Sequence, residues 1–202
     1  MATPETPVDG NQLLPVLPLR DVCLFPEASL TIIVARPAIL KTLEMASRMG
    51  QRVLALAQKD GAATPRDLQP LGTVARIAED LLLSDGTHRV ELDGVRRAKA
   101  LELIGADTLV AEVETLPEGD PGDEWGTAVE ALARYFRAHA DLRGFLEEQR
   151  RSNDPMSWVN LACQHLPITA SARQKLLESD APARCLRINR GLDALLRKEQ
   201  GN

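Results

Sequence analysis

Ser171 and Lys175 stand four residues apart on a segment that reads as a helix, the spacing that puts a hydroxyl nucleophile and an amine base on one face. A hydrolytic dyad also needs a group to orient the base and donors for an oxyanion, and no motif nearby supplies them. Ser171 with Gln174 fits a capping box instead, and Lys175 then reads as a solvated flank. Cys163 and His165 are two apart, so on a helix they face about 200° away from each other and make a poor ligand pair. His88 and His139 have no companions at metal-ligand spacing. The paired carboxylates Glu79-Asp80 and Glu147-Glu148 read as solvated surface. No phosphate-binding GxxxxGK[ST] loop and no GxGxxG after a strand occurs. These residues therefore predict no catalytic centre, no metal and no cofactor.

The elements that would position any site fall into two classes. The stretch Leu14–Pro26 is nearly all apolar yet carries Pro15, Pro18 and Pro26, which excludes a helix and predicts an extended run with prolines at strand ends or bulges. Leu30–Val34 is β-branched and reads as a strand, stopped at Arg36-Pro37; Ile39, Leu40, Leu43 and Ala46 then repeat at helical spacing up to Gly50. Val53–Ala57 returns to strand, and Gln58-Lys59-Asp60-Gly61 is a turn cluster. From Gly72 the pattern is β, with Ser84-Asp85-Gly86-Thr87 as a hairpin turn, a break at Gly94, and further strands to Leu116. Pro117–Asp123 is an acidic Pro/Gly linker, and beyond it the period becomes helical: Trp125, Val129, Leu132 and Phe136, then Trp158, Leu161, Ala162 and Leu166, then a helix capped by Thr169 or Ser171, then Cys185, Ile188, Leu192 and Leu195. Six or seven strands with one early helix predict a small, closed or nearly closed sheet followed by helices.

Composition narrows the function. With 202 residues the chain can bury a real core, and at 3% aromatic content that core must be aliphatic. A net charge of −5 disfavours broad affinity for nucleic acid or an anionic membrane. Three widely spaced cysteines with apolar neighbours read as buried thiols of a reducing, cytoplasmic setting. Residues 1–12 are polar, lack the pattern of a signal peptide, and read as a disordered tail; no stretch has the ~20 apolar residues of a membrane span.

Six pieces in register, "LPVLPLRDVCLFP", "TIIVARP", "VLALAQKD", "LGTVARI", "DGTHRVELDGVRRAKALEL" and "LVAEVE", resemble the N-terminal substrate-binding domain of the ATP-dependent protease Lon, and "DPMSWVNLACQHLPITASARQKLLES" resembles its helical second half. Glu27 departs from that family, which usually turns on glycine after Phe-Pro. The resemblance implies an α+β fold: a PUA-like β-barrel with one inserted helix over residues 13–116, a linker at 117–124 and a C-terminal helical bundle over 125–202. The halves are expected to pack together, as they do in relatives. The ATPase and Ser-Lys peptidase modules on which Lon depends have no counterpart in this sequence. The implied function is non-catalytic: recognition of unfolded or apolar polypeptide segments, or docking to a Lon-type protease or chaperone. RNA binding by a PUA-like module is the alternative. Against it, residues 1–116 hold 12 basic and 16 acidic residues, with Phe25 their one aromatic.

The expected binding surface is the barrel end around Leu24, Phe25, Arg36 and Pro37, with the turn at Gln58 and Lys59. An aromatic beside proline makes a rigid apolar anchor; the competing expectation is that Phe25 plugs the barrel mouth as core. A second charged feature is the run from Arg173 to Lys198, with seven basic residues against three acids. It reads either as a docking face for an acidic partner or as one polar helix face.

Overall fold

The computed structural model describes residues 12–59, 61, 64, 67–106, 108–139 and 155–200. Strands β1 (Gln12–Leu19) and β2 (Ser29–Val34) precede helix α1 (Pro37–Arg48), and β3 (Arg52–Ala57), β4 (Leu71–Leu82), β5 (His88–Ile104) and β6 (Val110–Thr115) follow. Helices α2 (Glu124–Ala138), α3 (Pro155–His165), α4 (Ala170–Glu178) and α5 (Ala181–Gln200) complete the described chain. The six strands form one mixed sheet in the order β2-β5-β4-β3-β1-β6, and β5 also pairs with β6. The path β5-β4-β3-β1-β6 therefore returns to β5, with β2 attached outside that ring.

β1 is buried on both faces, which explains its nearly unbroken apolar run. Leu14 and Val16 join Leu54, Leu56, Val74, Ala98, Ala111 and Val113 in one core, to which every strand of the ring contributes. Leu17 and Leu19 point the other way, into a larger core shared with Val53, Ala55, Val90, Leu92, α1 and the C-terminal helices. Pro15 and Pro18 sit inside β1 rather than at its ends, while Pro26 falls in the turn before β2; β1 tolerates its two prolines because its partner changes midway. Residues 12–15 pair with β6 and residues 16–19 run parallel to β3. The Val16 N–H bonds the Leu109 carbonyl, so Pro18, of the same parity, directs its missing donor to the side where β6 has ended. Gln12, read from sequence as the last residue of a tail, is already paired with Val113.

Gly94 does not break its strand; β5 runs through it as one 17-residue element. The glycine is required by approach: a Cβ there would lie 2.0 Å from the Phe25 carbonyl oxygen. Gly94 N–H donates to Ala28 O, and Glu27 N–H donates to Gly94 O. Pro26 and Glu27 form the turn closed by Ala28 N–H on Phe25 O, and Glu27 takes a φ of 62°. That is a type II pattern continuing into a bulge, in which the left-handed position is glycine's by preference. The position where the resemblance expects glycine is thus left-handed and occupied by a glutamate.

The helices are joined to the sheet by buried polar contacts. Arg184, fully buried on α5, donates through Nε to Leu176 O (2.9 Å), through Nη1 to Glu118 Oε2 (2.8 Å) and Asn160 Oδ1, and through Nη2 to Ser179 O (3.0 Å). Arg97 on β5 reaches Glu118 Oε1 (3.1 Å), Pro117 O (2.9 Å) and Ser179 O (2.8 Å). Burial pulls the Arg97 guanidinium below its ordinary pKa, and the Glu118 carboxylate opposes that shift. Two guanidiniums so close are stable because one carboxylate and the unsatisfied carbonyls at the end of α4 face them. Gln174 Nε2 donates to Leu71 O (2.9 Å), and Phe25 N–H donates to Gln164 Oε1 (3.0 Å). The first part of the 117–124 segment is therefore clamped, and both halves share one core.

Candidate functional site

Where β1 leaves β6 and before α1 begins, the surface opens into a groove of about 900 Å3. One wall is β1 and its continuation, with Pro18, Arg20 and Val22; the other is the end of β2, with Ile32, Ile33 and Val34. The first turns of α1 close one end, and Gln58 lies at the β3 side. The placement follows from local chemistry. Pro37 at the first helical position ends β2 and starts α1, because its fixed φ suits a helix and its missing N–H costs nothing there. α1 then leans on β1 and β3 through the buried Leu43 and Ala46, leaving the side of β2 uncovered. Ile33 is 62% exposed. The cations Arg20, Arg36 and Lys41 line the groove, and no acidic or aromatic residue is among its lining residues.

This groove brings together three of the six residues expected at a binding surface: Arg36, Pro37 and Gln58. Lys59 is exposed beside it, its N–H tied to Asp67 O (2.7 Å). Leu24 and Phe25 are elsewhere, and their assignment as surface anchors is corrected. They are 1% and 0% exposed. Thr73 Oγ1 donates to Leu24 O (2.5 Å), and the Arg184 guanidinium sits 5.7 Å from the Phe25 ring centroid. The ring is core at the junction of sheet and helices, as its second reading had it. Sequence reasoning missed Ile33, Val22, Arg20 and Lys41. A β-branched strand with alternating exposure hinted at Ile33, but the meeting of β1 and β2 across the groove is a long-range fact.

The chemistry candidates do not assemble. Thr169, not Ser171, caps α4 by accepting from Ala172 N–H, and Gln174 turns towards the sheet, so the capping box does not form. His88 Nδ1 pairs with Asp80 (2.6 Å), and His139 stacks on Tyr135. Glu79 pairs with Arg89, while Glu147 and Glu148 lie outside the described residues. Among the described residues no cluster of three or more His, Cys, Asp or Glu could hold a metal, and no helix is long and apolar enough to cross a membrane. Burial pushes the Cys23 and Cys163 thiols up to about 12 and raises that of Cys185, which leaves no thiolate nucleophile. In the basic run Arg184 is core rather than surface, so that run is not one continuous docking face.

The profile of the ATP-dependent protease La (LON) substrate-binding domain matches residues 13–194. The chain belongs to the Lon substrate-binding domain family. It is 30% identical over 182 residues to the Lon protease of Desulfovibrio desulfuricans, an alignment that covers 84% of this chain and 20% of that protein. The chain thus spans about a fifth of the length of the Lon protease it matches. Its fold resembles the crystal structure of a Lon N-terminal domain protein from Xanthomonas campestris, with a TM-score of 0.64 at 23% identity over 87% of this chain and 95% of that one. It also resembles the N-terminal domain of a Mycobacterium avium complex Lon protease, with a TM-score of 0.74 at 19% identity, covering 90% and 98% of the two chains. The match is to the Lon substrate-binding domain rather than to a protease domain.

Proposed function

We propose that this chain is a non-catalytic polypeptide-binding module that takes apolar segments of unfolded proteins into the groove between β1, β2 and α1. On this reading the ring of strands is a PUA-like barrel, the helices are a bundle that braces it, and captured segments pass to a Lon-type protease or chaperone. Membership of the Lon substrate-binding domain family supports a substrate-binding role. The observation that carries the location is the groove itself, about 900 Å3, walled by Val22, Ile32 and Ile33 with Ile33 62% exposed. A concave apolar surface of that size with a few convergent polar groups is what a binding site requires. Its energy would come from aliphatic burial at roughly 25 cal/mol per Å2, less the ordering of the bound segment. The lining lacks the aromatic rings on which RNA bases stack.

Anisotropy titration of a labelled, permanently unfolded model protein tests this. Ile33→Asp and Ala38→Asp each place a charge on the groove at an exposed position. Each should weaken binding about tenfold with no change in melting temperature. Binding equal to wild type in both variants would remove the groove as the site.

A further inference from the structure

The outer edge of β2 is an unused template. Among the strands β2 pairs with β5 alone. Because Ala28 O accepts from Gly94 N–H, residues of that parity, Leu30, Ile32 and Val34, turn their backbone groups to β5. Thr31 and Ile33 consequently direct their N–H and C=O away from the sheet, and neither has a backbone partner there among the described residues. Proteins usually blunt such an edge with proline, an inward charge or a covering element. β2 has none of these: its sequence is Ser-Leu-Thr-Ile-Ile-Val, and α1 packs on β1 and β3 instead. Across the groove the open side of β1 cannot serve the same purpose, since Pro18 has no donor to offer.

We infer that the groove takes its polypeptide as an added β-strand, hydrogen-bonded to Thr31 and Ile33 of β2, and that it favours apolar segments carrying acidic residues. The first half follows from the free edge: strand addition supplies main-chain bonds that are indifferent to sequence, while the groove selects alternate side chains. The acidic preference follows from charge complementarity, because Arg36 and Lys41 line the groove with no acid among the lining residues, and Arg20 beside them is held only by an exposed pair with Asp21 at 3.8 Å. The inference rests on the groove being the polypeptide site.

The test uses the full chain and fluorescent peptides of about eight residues, long enough to run along β2. Four versions are compared: apolar with aspartates at the ends, the same with lysines, and two aspartate versions N-methylated at alternate residues in opposite phases. In a strand only one phase faces β2. One N-methylated peptide should therefore lose about tenfold in affinity, and the other should bind like its parent. The aspartate peptide should outbind the lysine peptide about tenfold at low salt, by a margin that narrows as salt rises. Ile33→Pro removes an outward donor from an edge strand, where proline is tolerated, and should reproduce the loss at unchanged melting temperature. Should that variant not fold, the N-methylated pair decides on the wild-type chain. Equal binding by the two phases overturns strand addition while leaving the groove as the site, and equal binding by aspartate and lysine peptides overturns the acidic preference. Binding by none of the four overturns the groove reading together with this inference.

Discussion

Phe25 and Glu27 stand two residues apart and have opposite relations to their surroundings. Phe25 is fully buried, with its backbone N–H held by Gln164 and its ring beneath Arg184. Phe25→Ala should cost about 3–5 kcal/mol in denaturant unfolding, the range for an aromatic ring removed from a packed core; near-native stability would return the ring to the list of surface anchors. Glu27 holds a left-handed φ of 62°, which costs a side chain about 1–2 kcal/mol that glycine does not lose. Glycine's greater freedom in the unfolded chain offsets part of this. Glu27→Gly should therefore raise stability by up to about 1 kcal/mol, and a loss would mean that the glutamate side chain holds the turn more than the backbone strains it. The glutamate's oddity was legible in sequence, from the departure after Phe-Pro. The burial of Phe25 is legible only as one of two readings, because the choice between them depends on Gln164 and Arg184, which lie far along the chain.

Among elements, the pattern that predicts β2, α1, β3 and the β4–β5 hairpin is local, and those elements stand where it puts them. The local pattern misleads at Gly94, where glycine reads as a break but answers a backbone approach inside a continuous strand. It misleads again at Arg184, one of a basic run by composition but drawn into the core by Glu118, a residue 66 positions earlier. Glu118 joins β5, the end of α4 and α5 through two guanidiniums. Glu118→Gln keeps the shape and removes the charge, leaving two buried cations without the one carboxylate that bonds both, and should destabilise by about 3 kcal/mol. Limited proteolysis checks the same contact independently. In the wild type the clamp should slow cutting between Pro117 and Asp123, and in Glu118→Gln that segment should become an early cleavage site. Unchanged stability and unchanged cleavage would mean the helices are held by apolar packing alone.

For the molecule as a whole, the division of labour is between a ring of strands with its own interior core and helices that share a second core with its outer face. The groove lies away from that junction, at the place where β1 has left β6 and β2 has an open edge. Family resemblance made the α+β organisation readable from six short pieces. The groove was half readable: Arg36 and Pro37 were named from the strand–helix junction, and Gln58 from the turn. Its apolar wall was not, since no local pattern says that β1 and β2, paired with different strands, will face each other across a gap. The most direct test is amide chemical-shift mapping of the isotopically labelled chain during titration with an unfolded client. The account predicts that the perturbed amides cluster at Arg20, Val22, Thr31–Ala35, Ala38–Lys41 and Gln58, with α2 to α5 unmoved. Perturbations confined to α4 and α5, with the β2–α1 amides unchanged, would contradict it.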